Sequence, residues 1–342
     1  MYEASPCTKR GVGEMVATSS MVTMAVIAAS AGLEPSLQAA PWEGQIAAVF
    51  HRSLLCMAPD EHLLHLHTGP RLASPFSLRI GGEDDFAKML QAIPFRQGMP
   101  VRKVDLTIAL TEDVHLGLHR TTYYQSPRHL LGDVDPDALR HARKTLRLYG
   151  RVGGFDQLPD AQTIGSTVHQ ALAGRDAAQM LEATRYLIGL GPGLTPSGDD
   201  FLVGCLRGLW LIRSNALGAG QTLDRLRDVL LPDLDARTTR VGAEFIRYAL
   251  EGAFAEVLDQ AALALLAPSH PQVVQAAIAR LLAQGETSGT DTMLGLLTCL
   301  EALLSNSRRE PRHGRQDAAT TSASSASIRG KVHADARLEC DP

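Results

Sequence analysis

The octapeptide SGDDFLVG at residues 197–204 returns as SGTDTMLG at residues 288–295, 91 positions further on. The serine, the glycine after it, the second aspartate and the closing glycine keep their spacing. This recurrence limits the fold more than composition does, because one explanation must serve both copies. Each copy opens an apolar run and so marks a helix start. Serine followed three residues later by aspartate fits a capping box, in which the hydroxyl accepts from first-turn amides and the carboxylate reaches back. Acidic residues there also suit the positive end of the helix dipole. Capping accounts for Ser197, Asp200, Ser288 and Asp291, but not for the closing glycines. Seven residues make two helical turns, so Gly204 and Gly295 lie on the face of their serines, where another backbone can approach closely. Glycine inside a helix costs about 1 kcal/mol relative to alanine. Two such glycines at matching positions predict two helices that cross tightly, start to start.

Two adjoining helix starts rich in Ser and Thr bring amides, hydroxyls and dipole ends to one spot, a site suited to phosphate or carboxylate. The loop GLGPGLTP before the first copy exceeds the needs of a cap. Asp199, Asp200 and Asp291, with Thr195 and Thr287, are also hard oxygen donors of the kind Mg²⁺ takes with several waters retained. Mg²⁺ is therefore the one cofactor the sequence suggests, with its ligands unassigned. Thr238 and Thr239 head TTRVGAEFIRYALEG, where capping is a sufficient reason for both, although Arg240, Glu244 and Tyr248 add a polar stripe. His51, His62, His65 and His67 cluster upstream, but the alternation in HLLHLHT reads as a solvated strand face rather than a ligand set.

The period changes along the chain. Over about 44–126 the runs GQIAAVFHRSLLCM, HLLHLHTG, SPFSLRIGG, VRKVDLTIAL and VHLGLHRTTYY, separated by Pro, Gly and acidic turn residues, read as about five strands, with FAKMLQAI as a short helix among them. From Asp135 the helical period takes over, with Asp135 as cap and Pro136 in the first turn. Helices are expected over 167–188, 200–213, 222–230, 238–258, 261–266, 270–284 and 291–304. The expected class is α+β: a small β-rich domain, barrel-like or a meander, over 25–130, then an all-α domain over 131–305 that carries the site and two related loop–helix motifs. Residues 1–24 read as a flexible extension. Residues 306–342 hold almost no large apolar side chain to offset ordering entropy and read as a disordered tail.

With 342 residues, 45% hydrophobic and 20% charged, the chain is long enough for a substantial core. A formal net charge of -4 and no Lys/Arg stripe interleaved with aromatics give no reason to expect nucleic acid. Small molecules or other proteins are the expected partners. Cys7, Cys56, Cys205, Cys299 and Cys340 are odd in number and lack CxxC spacing, which favours a reducing, cytoplasmic setting. Lys9 and Arg10 ahead of MVTMAVIAASAG have the outline of a signal peptide, with Ala29-Ser30-Ala31 as a cleavage site. Glu14 interrupts that outline and no disulfide pattern follows it. No segment reaches the ~18 apolar residues of a membrane span, so no membrane partner is expected.

In order, GPGLTPSGDD, TTRVGAEFIRYALEGAF and GETSGTDTMLG resemble the three signature blocks of the AllH family. The resemblance is specific over 189–304 and weaker over 25–124, where GQIAAVFHRSL is similar to the family's opening strand. It implies a subunit of oxamate carbamoyltransferase, which in allantoin catabolism converts oxalurate and phosphate to oxamate and carbamoyl phosphate beside AllF-like and AllG-like subunits. The matching blocks carry over Gly191, Gly193, Thr195, Ser197, Asp199, Asp200, Thr238, Thr239, Ser288, Gly289 and Asp291 as site positions, without a catalytic role for any of them. Carbamoyl transfer passes through a tetrahedral oxyanion. Thr195, Ser197 and the amides around Gly198 are the groups expected to hold phosphate in line with the carbamoyl carbon. Asp199, Asp200 and Asp291 are the candidates to accept a proton or orient the ureido nitrogen. Carbamoyl phosphate, phosphate and ureido acids are all small anions, in keeping with the site read from the helix starts. Two other classes stay open: a non-catalytic assembly subunit that completes a site on its partners, and an Mg²⁺-dependent hydrolase built on the aspartates.

Overall fold

The computed structural model describes residues 21–128, 133–174, 176–212 and 219–307. The expected tail from residue 308 on, and residues 1–20 of the expected extension, lie outside them. Among the described residues nine strands form one sheet: β1 (Val22–Ser30), β2 (Trp42–Val49), β3 (Ser53–Met57), β4 (Leu63–His67), β5 (Ser77–Ile80), β6 (Pro100–Val104), β7 (Thr107–Ala109), β8 (Val114–Gly117) and β9 (Thr122–Tyr124). The order β5-β4-β3-β2-β6-β7-β8-β1 closes on itself, because β1 pairs antiparallel with β5. β9 runs parallel beside the end of β1. Closure removes exposed edges and makes the region a barrel rather than a meander. Val26, Leu54, Leu66, Leu78, Val101 and Leu116 fill its core.

β1 is the strand that the sequence conceals. Its residues form most of the apolar run set against a signal-peptide outline, yet they hydrogen bond to β5, β8 and β9 in the barrel wall. Its outward positions Val22, Ala25 and Ile27 are as apolar as the buried Met24, Val26 and Ala28, so the run carries no alternation in sequence and its period does not distinguish it from helix. It also starts at Val22, ahead of the boundary expected at residue 25.

Two short helices, α1 (Glu34–Gln38) and α2 (Glu83–Ala92), interrupt the strands. The helical region follows as α3 (Pro136–Tyr149), α4 (Ala161–Gly174), α5 (Ala177–Leu187), α6 (Ser197–Ile212), α7 (Ala219–Leu230), α8 (Leu234–Arg237), α9 (Arg240–Leu250), α10 (Glu256–Leu263), α11 (Pro271–Leu282) and α12 (Ser288–Ser307). α3 starts as its sequence dictates: Asp135 accepts from the Asp137 amide at 2.8 Å, and Pro136 opens the first turn. Two stretches expected as single helices are each divided. Over 167–188 the break lies before α5, where Asp176 accepts from the amides of Ala178 and Gln179, both at 3.0 Å. Over 238–258 the chain turns at Gly252, whose φ of +80° is left-handed and whose missing side chain leaves room for the Trp210 ring. α6 is buried along its whole length and packs most extensively against α12.

Barrel and helices share a seam along α9. Tyr248 belongs to the barrel core, and Phe245 packs edge-on against Phe76 with centroids 5.0 Å apart. Arg71 Nη1 reaches Glu256 Oε1 at 2.7 Å, and the Tyr124 hydroxyl donates to Asp259 Oδ2 at 2.8 Å. Asp259 also pairs with Arg207 at 2.7 Å, both side chains fully buried. Because helices cover this side of the barrel, HLLHLHT is not a solvated face. His67 is buried and His65 half-buried, and burial lowers their pKa values to about 3 and about 4. His51 lies exposed between β2 and β3, so the four histidines do not gather.

Candidate functional site at the paired helix starts

Gly204 and Gly295 are where α6 and α12 meet. A Cβ added at Gly204 would lie 2.0 Å from the Thr292 carbonyl oxygen, and one at Gly295 would lie 1.9 Å from that of Phe201. Only glycine admits so close a backbone. Positions 201 and 204 correspond to 292 and 295 under the 91-residue repeat, so the two contacts are images of each other. Gly198 and Gly289 form a second such pair. A Cβ there would strike Leu187 O at the end of α5 (2.1 Å) or Leu281 O in the last turn of α11 (1.9 Å). The pairs α5–α6 and α11–α12 thus repeat one arrangement about an approximate two-fold relation. Their starts stand side by side, with Thr195 Oγ1 and Ser288 Oγ 3.0 Å apart.

The caps differ from the local reading. Each serine is the first helical residue, not the cap. The amides of Asp199 and Asp200 return to Pro196 O at 2.9 and 3.1 Å, and those of Thr290 and Asp291 to Thr287 O at 2.8 and 3.0 Å. The serines serve the opposite helix instead: Ser288, with Thr195, hydrogen bonds toward Asp200, and Ser197, with Thr287, toward Asp291. Two first-turn amides expected to be free are also taken, Gly198 N by Leu190 O at 2.8 Å and Gly289 N by Gln284 O at 3.1 Å. Hydroxyls and carboxyls, rather than these amides, are what the helix starts can offer a ligand.

The three aspartates part ways. Asp199 is satisfied at both oxygens: Oδ1 accepts from Gly189 N at 2.7 Å and Oδ2 from the Thr238 hydroxyl. It clasps the glycine loop to the start of α9. Thr239 there caps Gly242 N at 3.0 Å and donates to Leu194 O. Gly191 and Gly193 have φ of +110° and +99°, left-handed values that set the path of this loop. Asp291 is plugged. Its Oδ1 accepts from Phe155 N at 2.8 Å, Gly154 lies so close that a Cβ would fall 2.4 Å from either carboxylate oxygen, and Phe155 stacks on Phe201 with centroids 4.2 Å apart.

Asp200 alone opens onto space. Although 6% exposed, it borders a cavity of about 210 Å³; its Oδ2, like that of Asp291, has no well-formed hydrogen bond, so the cavity is what sets Asp200 apart. Thr195, Ser288 and Thr292 share its polar end, Val203, Phe254 and Leu258 supply apolar walls, and His65, Ala73 and Pro75 close it from the barrel. Burial drives the Asp200 pKa well above the ordinary carboxylate value. The hydroxyls of Ser288 and Thr195 oppose this, and the nearby charges of Asp291 and Asp199 add to it. Burial also raises Asp199 and Asp291, against their own hydrogen bonds. A carboxyl shifted this way remains an acid, and so a hydrogen-bond donor, to higher pH.

His65, whose Nδ1 lies 3.4 Å from Ser74 Oγ, is the cavity residue that the sequence reading set aside. The available signal was leucine at both parities of LLHLH, the mark of a strand covered on both faces. Among the described residues no group of three or more His, Cys, Asp or Glu is arranged to hold a metal ion. The aspartates face three separate neighbourhoods, so the residues present do not fit the Mg²⁺ centre suggested by sequence.

These features define an α+β protein in which a repeated helix pair sets Ser/Thr-rich starts against a barrel and one buried carboxyl against a cavity. Residues 187–300 match the family model described as oxamate carbamoyltransferase subunit AllH. The matched stretch holds Thr195, Asp200, Ser288 and Asp291, while Phe155 and His65 fall outside it. No solved structure matches this chain. Among the described residues no helix is long and apolar enough to cross a membrane.

Proposed function

We propose that the chain is an AllH-like subunit of a cytoplasmic carbamoyltransferase acting on a ureido acid such as oxalurate, beside AllF-like and AllG-like subunits, and that the carbamoyl group is transferred at the Asp200 cavity. One observation carries this reading: a buried carboxyl with an unpaired oxygen faces that cavity between the Thr195 and Ser288 hydroxyls, within the family-matched stretch.

In such a reaction a phosphate oxygen attacks the terminal carbamoyl carbon and the carbonyl oxygen gains negative charge. The carbon–nitrogen bond then breaks. The proton lost by HPO₄²⁻ ends on the departing nitrogen, giving oxamate and carbamoyl phosphate. No covalent nucleophile is needed. The Thr195 and Ser288 hydroxyls and protonated Asp200 are donors for the developing oxyanion, held where little water competes. His65, kept neutral by burial, faces the same cavity from the barrel and is the group suited to take the proton and return it. Asp199 and Asp291 hold the loop and the plug in place.

Reconstitution with the partner subunits tests this. Asp200→Asn should lower kcat/KM for oxalurate phosphorolysis about 100-fold or more, about 2.7 kcal/mol of transition-state stabilisation, without lowering Tm. Wild-type turnover by the folded variant would overturn the assignment.

A further inference from the structure

A second cavity, about 370 Å³, lies on the same seam and adjoins the first, since Pro75, Ala253 and Phe254 line both. Its walls set basic side chains, Arg128, Arg247 and His62, against acidic Glu34 and Glu251. Behind them stands Glu244, 2% exposed, on α9. Its Oε1 accepts from Arg247 Nη1 at 3.1 Å and lies 3.5 Å from His62 Nδ1, while Oε2 has no hydrogen bond. Burying a carboxylate with one oxygen unpaired is costly. Its effect is positional: a histidine from the barrel stands with Nδ1 3.5 Å from this carboxylate across the seam, an approach without a well-formed hydrogen bond, and its side chain is 40% exposed to a ligand. Arg247 is fixed from its other side by Asp235, at 2.9 and 3.0 Å.

We propose that this second cavity holds the carboxylate-bearing amide half of the ureido acid, the half that leaves as oxamate, with the carboxylate on His62 and Arg128 and the amide N–H groups toward Glu34 and Glu251. This rests on the reading that the neighbouring cavity transfers the carbamoyl group, and it requires the ligand to pass Pro75, Ala253 and Phe254, the residues that line both cavities. A purely anionic ligand would meet the two glutamates, whereas one with a carboxylate at one end and N–H donors at the other satisfies both signs of wall. The contact with Glu244 raises the His62 pKa, with Asp60 assisting and burial and Arg247 opposing. The imidazole therefore keeps its positive charge to higher pH than a free histidine.

Calorimetric titration of the full chain with oxamate tests the proposal. Saturable binding is expected in the wild type, at least ~10-fold weaker in His62→Gln, as loss of a charge-assisted hydrogen bond implies. Arg128→Gln, at an exposed residue whose change spares the core, should weaken it too. Asp200→Asn should bind oxamate as the wild type does while failing in turnover, which separates this proposal from the assignment of the first cavity. No oxamate binding by the wild type, wild-type affinity in both His62→Gln and Arg128→Gln, or a loss confined to Asp200→Asn would overturn it.

Discussion

On the α6 side of the helix pair the carboxyl of Asp200 meets a cavity, and on the α12 side the carboxyl of Asp291, its counterpart in the repeat, meets the amide of Phe155. The surroundings are otherwise alike: a serine from the opposite helix, a glycine contact about one turn on, a glycine against the preceding helix. What separates them is a segment outside the repeat. Residues 151–155 bind the α12 start and the turn before it, through Arg151 N to Thr290 Oγ1 at 2.9 Å, Arg151 Nη1 to Gly285 O at 2.8 Å and Glu286 O at 3.3 Å, and Phe155 N to Asp291. Phe155 then seals that side against Phe201. One copy of a duplicated arrangement thus becomes a brace and the other keeps room for a ligand. A matching motif position does not fix the role of a residue; what packs against it does.

The largest expected effect concerns what the two sides share. Gly204→Leu or Gly295→Leu should force the helices apart and cost about 3 kcal/mol or more in urea denaturation. A loss below ~0.5 kcal/mol, the range of ordinary surface changes, would mean that the backbones do not touch. The next effect separates the sides. Asp291→Ala orphans the buried Phe155 amide and should cost about 1–3 kcal/mol of stability, with turnover per folded molecule within ~3-fold of wild type. A ~100-fold loss of turnover would place Asp291 in the reaction.

The smallest effect sharpens the electrostatics of the open side. The folded pKa of Asp200 lies above its ordinary 3.8. Its stabilising contribution is complete below that value and is lost as pH rises through the folded pKa. Asn does not titrate, so the Tm of Asp200→Asn relative to wild type should climb by about 2–4 °C between pH 4 and 8. A Tm difference that is flat with pH would show that the carboxyl titrates normally.

The helix crossing and its two glycines were legible, because equal spacing in two copies demands one geometry. The caps were not. Ser197 and Ser288 sit at capping-box spacing from their own aspartates but serve those of the other helix, a pairing that local spacing does not encode. β1 escaped because apolar side chains occupy its outward face as well as its buried one, an apolar run without a period. The break at Gly252 escaped because the apolar stripe of α9 runs on into α10 while the backbone turns left-handed between them. Phe155 and His65, which decide which aspartate is open, lie outside the signature blocks. They reach the site only through tertiary packing.

The claim that the helix pair has one open and one plugged side is tested most directly by titrating carbamoyl phosphate into the wild-type chain, Asp200→Asn and Asp291→Asn. Binding should weaken at least ~10-fold in Asp200→Asn, as when a buried hydrogen-bonding group is lost, and stay within ~2-fold of wild type in Asp291→Asn, where the Phe155 amide keeps an acceptor. Equal losses in the two variants would show that both carboxyls serve one ligand, and the division between site and brace would be wrong.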